Sequence, residues 1–283
     1  AAGQLRGRVQ GLELAGAEPA QVKSLAHGMT VATNALLEGN GARTVLVTTA
    51  GFTDIVEIGR QNRADLYRLR ERRPDPLAPP ELRVGADERM GPDGVIKALD
   101  PDEARNVAGR VAGLEAESVA VCLLHADRHP AHEAEIGEAL RERLGPDVHV
   151  SLSHEVVGTF REYERAATTE VDAALSPLLG GYLARLARRC DEAGLPEAAI
   201  MQSSGGLTDL ETASGHAALT VLSGPAGGAA AATLVAAAAS RPNLLCFDMG
   251  GTSCDVCVVE GGAVRETGSK SIGGHPMALP MVD

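Results

Sequence analysis

The sequence predicts a mixed α/β protein in two lobes. Three observations carry this. Short β-branched runs alternate with helical periodicities along the chain. The character of the sequence changes at Thr159. Two glycine turns near the C-terminal end force neighbouring strands to run antiparallel, because a parallel pair needs a long crossover. A chain of 283 residues has room for one large or two ordinary domains and a sizeable core.

Residues 4–16 have helical spacing through Leu5, Val9, Leu12 and Leu14. Residues 31–37 read as a short helix ended by Gly39, and the β-branched run 43–48 as a buried strand. Residues 52–58 read as another short helix. The stretch 60–80 is a polar connection with arginines at 60, 63, 68, 70, 72 and 73, a solvated loop or an anion or subunit contact. Asp100, Pro101 and Glu103 spell N-cap, N1 and N3 of a capping box, predicting a helix to about 114. A strand over 119–124, a helix from Pro130 to about 144 and a strand over 148–152 follow. The sequence after 159 predicts a helix interrupted at Pro177 and ending at Gly194. Then come a strand over 198–202, an Ala-rich helix to about 239, and a meander of strands at 244–248, 256–260 and 263–267. The boundary between the lobes falls near residue 158.

Composition removes several function classes. The formal net charge is −12, so a nucleic-acid or anionic-membrane surface is disfavoured. Aromatic residues are 2%, too few for base-stacking platforms. The 44% apolar content excludes wholesale disorder. Five irregularly spaced cysteines point to a reducing cytosol. No targeting segment is visible, and the uncharged stretch 217–240 is broken by Gly and Pro and too weakly apolar to span a bilayer. The first Met is Met29 and no cap or tail follows Met281-Val282-Asp283, so the expectation is an internal piece of a longer protein.

The sharpest chemical constellation runs from Phe247 to Val256. A strand ends on Asp248; Gly250 and Gly251 permit a tight turn and close backbone approach; Thr252 and Ser253 add hydroxyls; Asp255 starts the return strand. Amide donors for phosphate and hard oxygen ligands for Mg²⁺ are what a Mg-nucleotide needs. The plain alternative is an ordinary hairpin. Ser223, Gly224, Gly227 and Gly228 form a glycine-rich turn into a helix, an anion site or a tight packing joint. Gly205 and Gly206 close a third loop at a strand end. Neither a Walker nor a Rossmann pattern is present. Cys254 and Cys257 lie three apart on a strand and so point to opposite faces, which favours small buried hydrophobes over a metal site. His125, His129 and His132 read as a solvated loop, because Pro130 breaks any shared helical face. Arg161, Glu162, Glu164 and Arg165 read as surface charges pairing along a helix.

Taken together, several long segments resemble the hydantoinase A/oxoprolinase family: His27 to Glu38, Thr48 to Asp54, Glu57 to Tyr67, Phe160 to Arg165, Gln202 to Gly206, Leu222 to Gly228, and Phe247 to Val256. They occur in the family's order across nearly the whole chain. Met29, Ser204 and Cys254 depart from the usual residues. The resemblance implies an actin-like ATPase (ribonuclease-H-like) fold whose two halves clasp ATP. A first phosphate loop would lie upstream of this chain and a Gly-rich nucleotide-binding stretch downstream. Residues 1–158 would be the N-terminal-type domain and 159–283 the start of the ATPase domain. The implied activity is ATP-dependent hydrolysis of a cyclic amide, a hydantoin or 5-oxoproline type, by phosphoryl activation of the lactam oxygen. The alternatives are a ketone carboxylase subunit and a non-catalytic nucleotide-binding fragment. Asp248 and Asp255 would serve Mg²⁺, directly or through water, or orient the acceptor. Gly250, Gly251, Thr252, Ser253, Ser223, Gly224, Gly227, Gly228, Gly205 and Gly206 would hold the nucleotide. His27, Thr33, Asn34, Arg60 and Asn62 would contact substrate or a partner. A B-type companion subunit or C-terminal half is expected to complete the hydrolysis.

Overall fold

The computed structural model describes residues 18–62, 67, 74–249 and 254–283. The helix expected over 4–16, the arginines at 63, 68, 70, 72 and 73, and the turn 250–253 lie outside the described residues.

The chain enters through β1 (Leu25–His27) and α1 (Val31–Glu38), which stops where Gly39 takes φ 68°. β2 (Thr44–Thr49) is wholly buried, as its uninterrupted apolar and Thr content requires of a central parallel strand. A short helix, Ile55–Ile58, and β3 (Arg83–Ala86) follow, then the hairpin β4 (Arg89–Gly91) and β5 (Gly94–Lys97). Next come α2 (Pro101–Ala112), β6 (Ser118–Cys122), α3 (Ala131–Leu144) and β7 (His149–Leu152). β3, β2, β6 and β7 form a parallel sheet in that order. Strand alternation divides it: Val45, Val47, Val119 and Val121 face α2 and α3, while Leu46, Ala120 and Cys122 face the other side.

That other side is covered by α4 (Glu162–Glu192), a 31-residue helix. Its first half lies on the sheet through Ala166 and Ala173. From Val171 onward another face enters a different core, through Val171, Leu175, Leu179, Tyr182, Leu183 and Leu186. The expected break at Pro177 does not occur: the helix runs straight through it. Burial along both halves outweighs the lost hydrogen bond. Ala42 N–H also donates to the Ala174 carbonyl at 2.8 Å, in the turn just before the proline. At the start of α2 the Asp100 side chain accepts from Asp102 N–H at 2.8 Å. The expected reciprocal arm of the capping box is absent: Glu103 instead accepts from Asp87 N–H and Arg110.

Beyond α4, β8 (Ala198–Met201) pairs parallel with β1 and antiparallel with β9 (Leu207–Thr208). The first residues of the described chain are thereby tied to the last third. The Ala-rich helix α5 (Ser223–Ala238) packs on the meander of β10 (Leu244–Met249), β11 (Cys254–Glu260) and β12 (Ala263–Val264). The expected third strand over 263–267 divides. β12 stays with β11, whereas β13 (Glu266–Thr267) pairs with β16 (Met281–Val282). Between them β14 (Lys270–Ile272) and β15 (His275–Met277) form a hairpin around Gly273 and Gly274.

Candidate functional site

Asp248 and Asp255 are directly opposite residues of the antiparallel β10–β11 pair. Period-two alternation puts them on the same face as Cys246, Cys257 and Val259, the face that packs on α5. Leu245, Phe247, Met249, Val256 and Val258 occupy the opposite face and are exposed. Both aspartates line a cleft of about 360 Å³. Pro225 and Gly228 of α5 form one wall, and Lys270 and Ser271 of β14 another. A Cβ on Gly228 would lie 3.8 Å from Asp248 Oδ2, so the helix presents bare backbone to that carboxylate. Two carboxylates placed directly across a strand pair repel each other. Positive charge beside them relieves that repulsion. Lys270 lines the same cleft, with its Nζ 3.4 Å from Asp283 Oδ1. The donor set, paired hard oxygens open to a cleft, suits Mg²⁺ with phosphate oxygens and water completing the shell. The turn residues Gly250, Gly251, Thr252 and Ser253, expected to bind phosphate, lie outside the described residues.

The other expected site residues are distributed differently. Ser223 is fully buried; its hydroxyl donates to the Met29 carbonyl at 2.9 Å and accepts from Met29 N–H at 3.3 Å. Leu222 N–H donates to Thr33 Oγ1 at 2.9 Å. A Cβ on Gly28 would come 3.2 Å from the Ser223 carbonyl, and one on Gly224 would come 3.0 Å from Cγ2 of Thr30, the residue that caps α1. Ser223, Gly224 and Thr33 therefore form a joint between the start of α1 and the start of α5, outside the cleft lining. Gly227 faces Met201. The loop with Gly205 and Gly206 also stands outside the cleft. It supports the cleft from behind, since Val282 lines the cleft and its N–H donates to the Ser203 carbonyl at 2.9 Å.

His27 is buried, with Nε2 2.8 Å from Tyr182 Oη and the two rings stacked at 5.9 Å. Arg60 pairs with Glu164, and Asn34 and Asn62 are exposed. None of these four lines the cleft.

Arg165 corrects a surface expectation. Its side chain is wholly buried and donates to the Leu123 and Thr159 carbonyls, to Ser153 Oγ and to Asp127. His132 does not sit in a solvated loop either. Leu99 N–H donates to its Nε2, so Nδ1 carries the proton and donates to buried Glu88 at 2.7 Å. Cys257 stands directly opposite Cys246, a pairing that the Cys254–Cys257 spacing did not reveal. Burial, then the neighbouring Cys246, pushes the Cys257 thiol up. Among the described residues no three His, Cys, Asp or Glu side chains group as metal ligands, and no helix is long and apolar enough to cross a membrane.

Sequence reasoning missed Lys270 and the buried acids of α4, Glu170 and Asp172. The signal for the latter was present: charged residues inside a helical stretch that is otherwise apolar or Thr.

Known proteins share this architecture. The chain superimposes on the crystal structure of an ATP-dependent caprolactamase from Pseudomonas jessenii with a TM-score of 0.86 and 30% identity, over 98% of this chain and 41% of that one. The fold is of the actin-like ATPase type. Residues 5–144 match the hydantoinase/oxoprolinase N-terminal region and residues 165–283 match hydantoinase/oxoprolinase. The chain belongs to the hydantoinase/oxoprolinase family. It is 35% identical to 5-oxoprolinase 1 of Arabidopsis thaliana over 90% of its own length and 21% of that protein's. It is 31% identical to the acetophenone carboxylase gamma subunit of Aromatoleum aromaticum over 87% of its length and 35% of that protein's. The chain thus spans less than half of each of these relatives.

Proposed function

We propose that the cleft beneath Asp248 and Asp255 receives the polyphosphate of Mg-ATP, and that the complete protein uses it to activate the carbonyl oxygen of a cyclic amide. The observation that carries this is the placement of the two aspartates as opposed residues over the bare backbone of Gly228. Asp248 and Asp255 would hold Mg²⁺, directly or through water, and the ion would supply positive charge against the phosphate oxygens. Lys270 faces the same charge from the other rim. The positive end of α5 adds to the field.

An amide carbon is a poor electrophile. Transfer of the γ-phosphoryl group makes a new P–O bond to the lactam oxygen and releases ADP. Water then adds at the activated carbon and the ring C–N bond breaks, the nitrogen leaving as the protonated amine and the carbon remaining as an acyl phosphate; a second water releases phosphate and leaves the carboxylate. The protein's part is positioning and charge stabilisation. Relatives named for 5-oxoproline and caprolactam support a cyclic amide as substrate. A companion subunit is part of the same proposal, supported by the relative that is itself named as a subunit. So is a cytoplasmic setting, where ATP is supplied. The division near residue 158 is supported by the matched ranges ending at 144 and starting at 165.

The test is Asp248→Asn in the full-length protein. ATP consumption and ring opening should fall together by about 100-fold or more, as for loss of a charge-stabilising group. Unchanged turnover rejects the site. A second reading, carboxylation of a phosphorylated enolate, is favoured by the likeness to the acetophenone carboxylase subunit. Incorporation of labelled bicarbonate into product separates it from hydrolysis.

A further inference from the structure

Cys246 and Cys257 are directly opposite residues of the β10–β11 pair, two residues along the strands from Asp248 and Asp255 and on the same face. All four line the aspartate cleft. The two thiols are half-buried and within hydrogen-bonding reach of each other. Cys122 and Cys190 are different: both are buried, and burial pushes the Cys122 thiol up to about 12. Among the described residues, only Cys246 and Cys257 bring two partly accessible thiols together.

Directly opposite residues of an antiparallel pair have Cα atoms about 4.5 or 5.5 Å apart, inside the ~4.4–6.8 Å that a disulfide spans. The strand pairing already holds the register, so a bridge needs no rearrangement of the chain. It does draw the two Cβ atoms from roughly 4.5–5.5 Å to about 3.8 Å, a closure on the order of 1 Å beside the aspartate pair.

The charged side chains on the cleft wall are Asp248, Asp255 and Asp283 against Lys270. A wall with that excess of carboxylates repels an anionic reagent and admits a neutral or cationic one.

We propose that Cys246 and Cys257 are a redox-active dithiol that closes to a cross-strand disulfide by exchange with a small disulfide carrying no negative charge, and that closure lowers turnover by displacing Asp248 and Asp255. One cysteine thiolate attacks a sulfur of the reagent and releases its first thiol. The second cysteine gives up its proton, attacks the mixed disulfide and releases the second thiol. Two protein thiols are oxidised, one small disulfide is reduced, and the two protons end on the released thiols. In a reducing compartment such a bridge is transient and serves sensing. The bridge stands whatever fills the cleft, whereas the loss of turnover rests on the Mg-ATP reading above.

The experiment treats the full-length protein carrying Cys254→Ser, in its natural complex, with cystamine or with glutathione disulfide, and reads mass and turnover. Cys254→Ser removes the third thiol of the segment from the assignment, and wild type treated alike should lose the same two thiols. Cystamine should give an internal Cys246–Cys257 bridge with no adduct retained. It should react about tenfold faster than the anionic glutathione disulfide at low salt, and the gap should narrow as salt rises. Turnover should fall about tenfold or more, since a misplacement of ~1 Å at a site costs on the order of 100-fold, and dithiothreitol should restore it. With Cys246→Ser and Cys257→Ser added, the treatment should leave turnover where it was before. Stable adducts on both cysteines, or no reaction, overturn the dithiol. Equal rates with the two reagents overturn the assigned reagent. A bridge with unchanged turnover, or an equal fall in the serine variant, overturns the control of turnover. Asp248→Asn tells that failure from a failure of the cleft reading, because unchanged turnover in that variant rejects the cleft itself.

Discussion

Arg60 and Glu164 clasp each other through two parallel hydrogen bonds, Nε to Oε1 at 2.6 Å and Nη2 to Oε2 at 2.7 Å. The pair joins the segment after the Ile55–Ile58 helix to the first turn of α4. The Arg60 side chain is 41% exposed, so solvent screens the attraction and the pair contributes no more than about 1 kcal/mol. Arg60→Ala should therefore lower unfolding free energy by less than about 1 kcal/mol in urea titration. A large fall in turnover beside that small change would assign Arg60 to substrate or partner contact. A large loss of stability would contradict the exposed geometry.

Arg165 represents the opposite case. It is wholly buried and bonded to two carbonyls, a hydroxyl and Asp127. Arg165→Met should destabilise by about 3–5 kcal/mol, because Asp127 and the carbonyls are left without their donor. Chemical denaturation gives the value, and a change below about 1 kcal/mol would show that water replaces the guanidinium.

His154 makes stability depend on pH. Its hydrogen bond to Glu133, opposed by partial burial, raises the imidazole above its ordinary value. A raised histidine stabilises fully below the unfolded pKa near 6.5, and the contribution fades as pH rises through the folded value. The Tm gap between wild type and His154→Ala should be widest in mild acid and narrow toward alkaline pH. A gap that widens with pH would refute the assignment.

Glu170 works in the other direction. Its carboxyl is raised to about 8, so between an unfolded pKa near 4.5 and that value the folded state must keep a proton that the unfolded state gives up. Glu170→Gln should stabilise the protein at neutral pH, on the order of 2 kcal/mol, and the gain should vanish near pH 4.5. Paired thermal scans at the two pH values measure it.

Much of the fold was legible because its signals are local. Gly39 did end α1, and the glycine turns did produce a meander, since φ > 0 and short loops leave few options. Pro177 misled, because a proline's local cost says nothing about the two cores that hold α4 on either side. Of the site residues, Asp248, Asp255 and Gly228 meet in one cleft, while Ser223 and Thr33 are engaged in a joint. Sequence spacing shows that a glycine-rich turn packs closely against something. It does not say whether the neighbour is an anion or the other end of the chain. Lys270 carried no local signal, because only the β14–β15 hairpin brings it to the aspartates.

The long helix α4 has a consequence for dissection of the molecule. A cut near residue 158 would strip the parallel sheet of the rod that shields Leu46, Ala120 and Cys122. The severed N-terminal piece would show a greasy flank to water and clump, and the remainder would carry half a helix with nothing to lean on. Sequence lineage divides this chain in two, but its architecture makes the halves inseparable, and whatever loosens one will loosen the other.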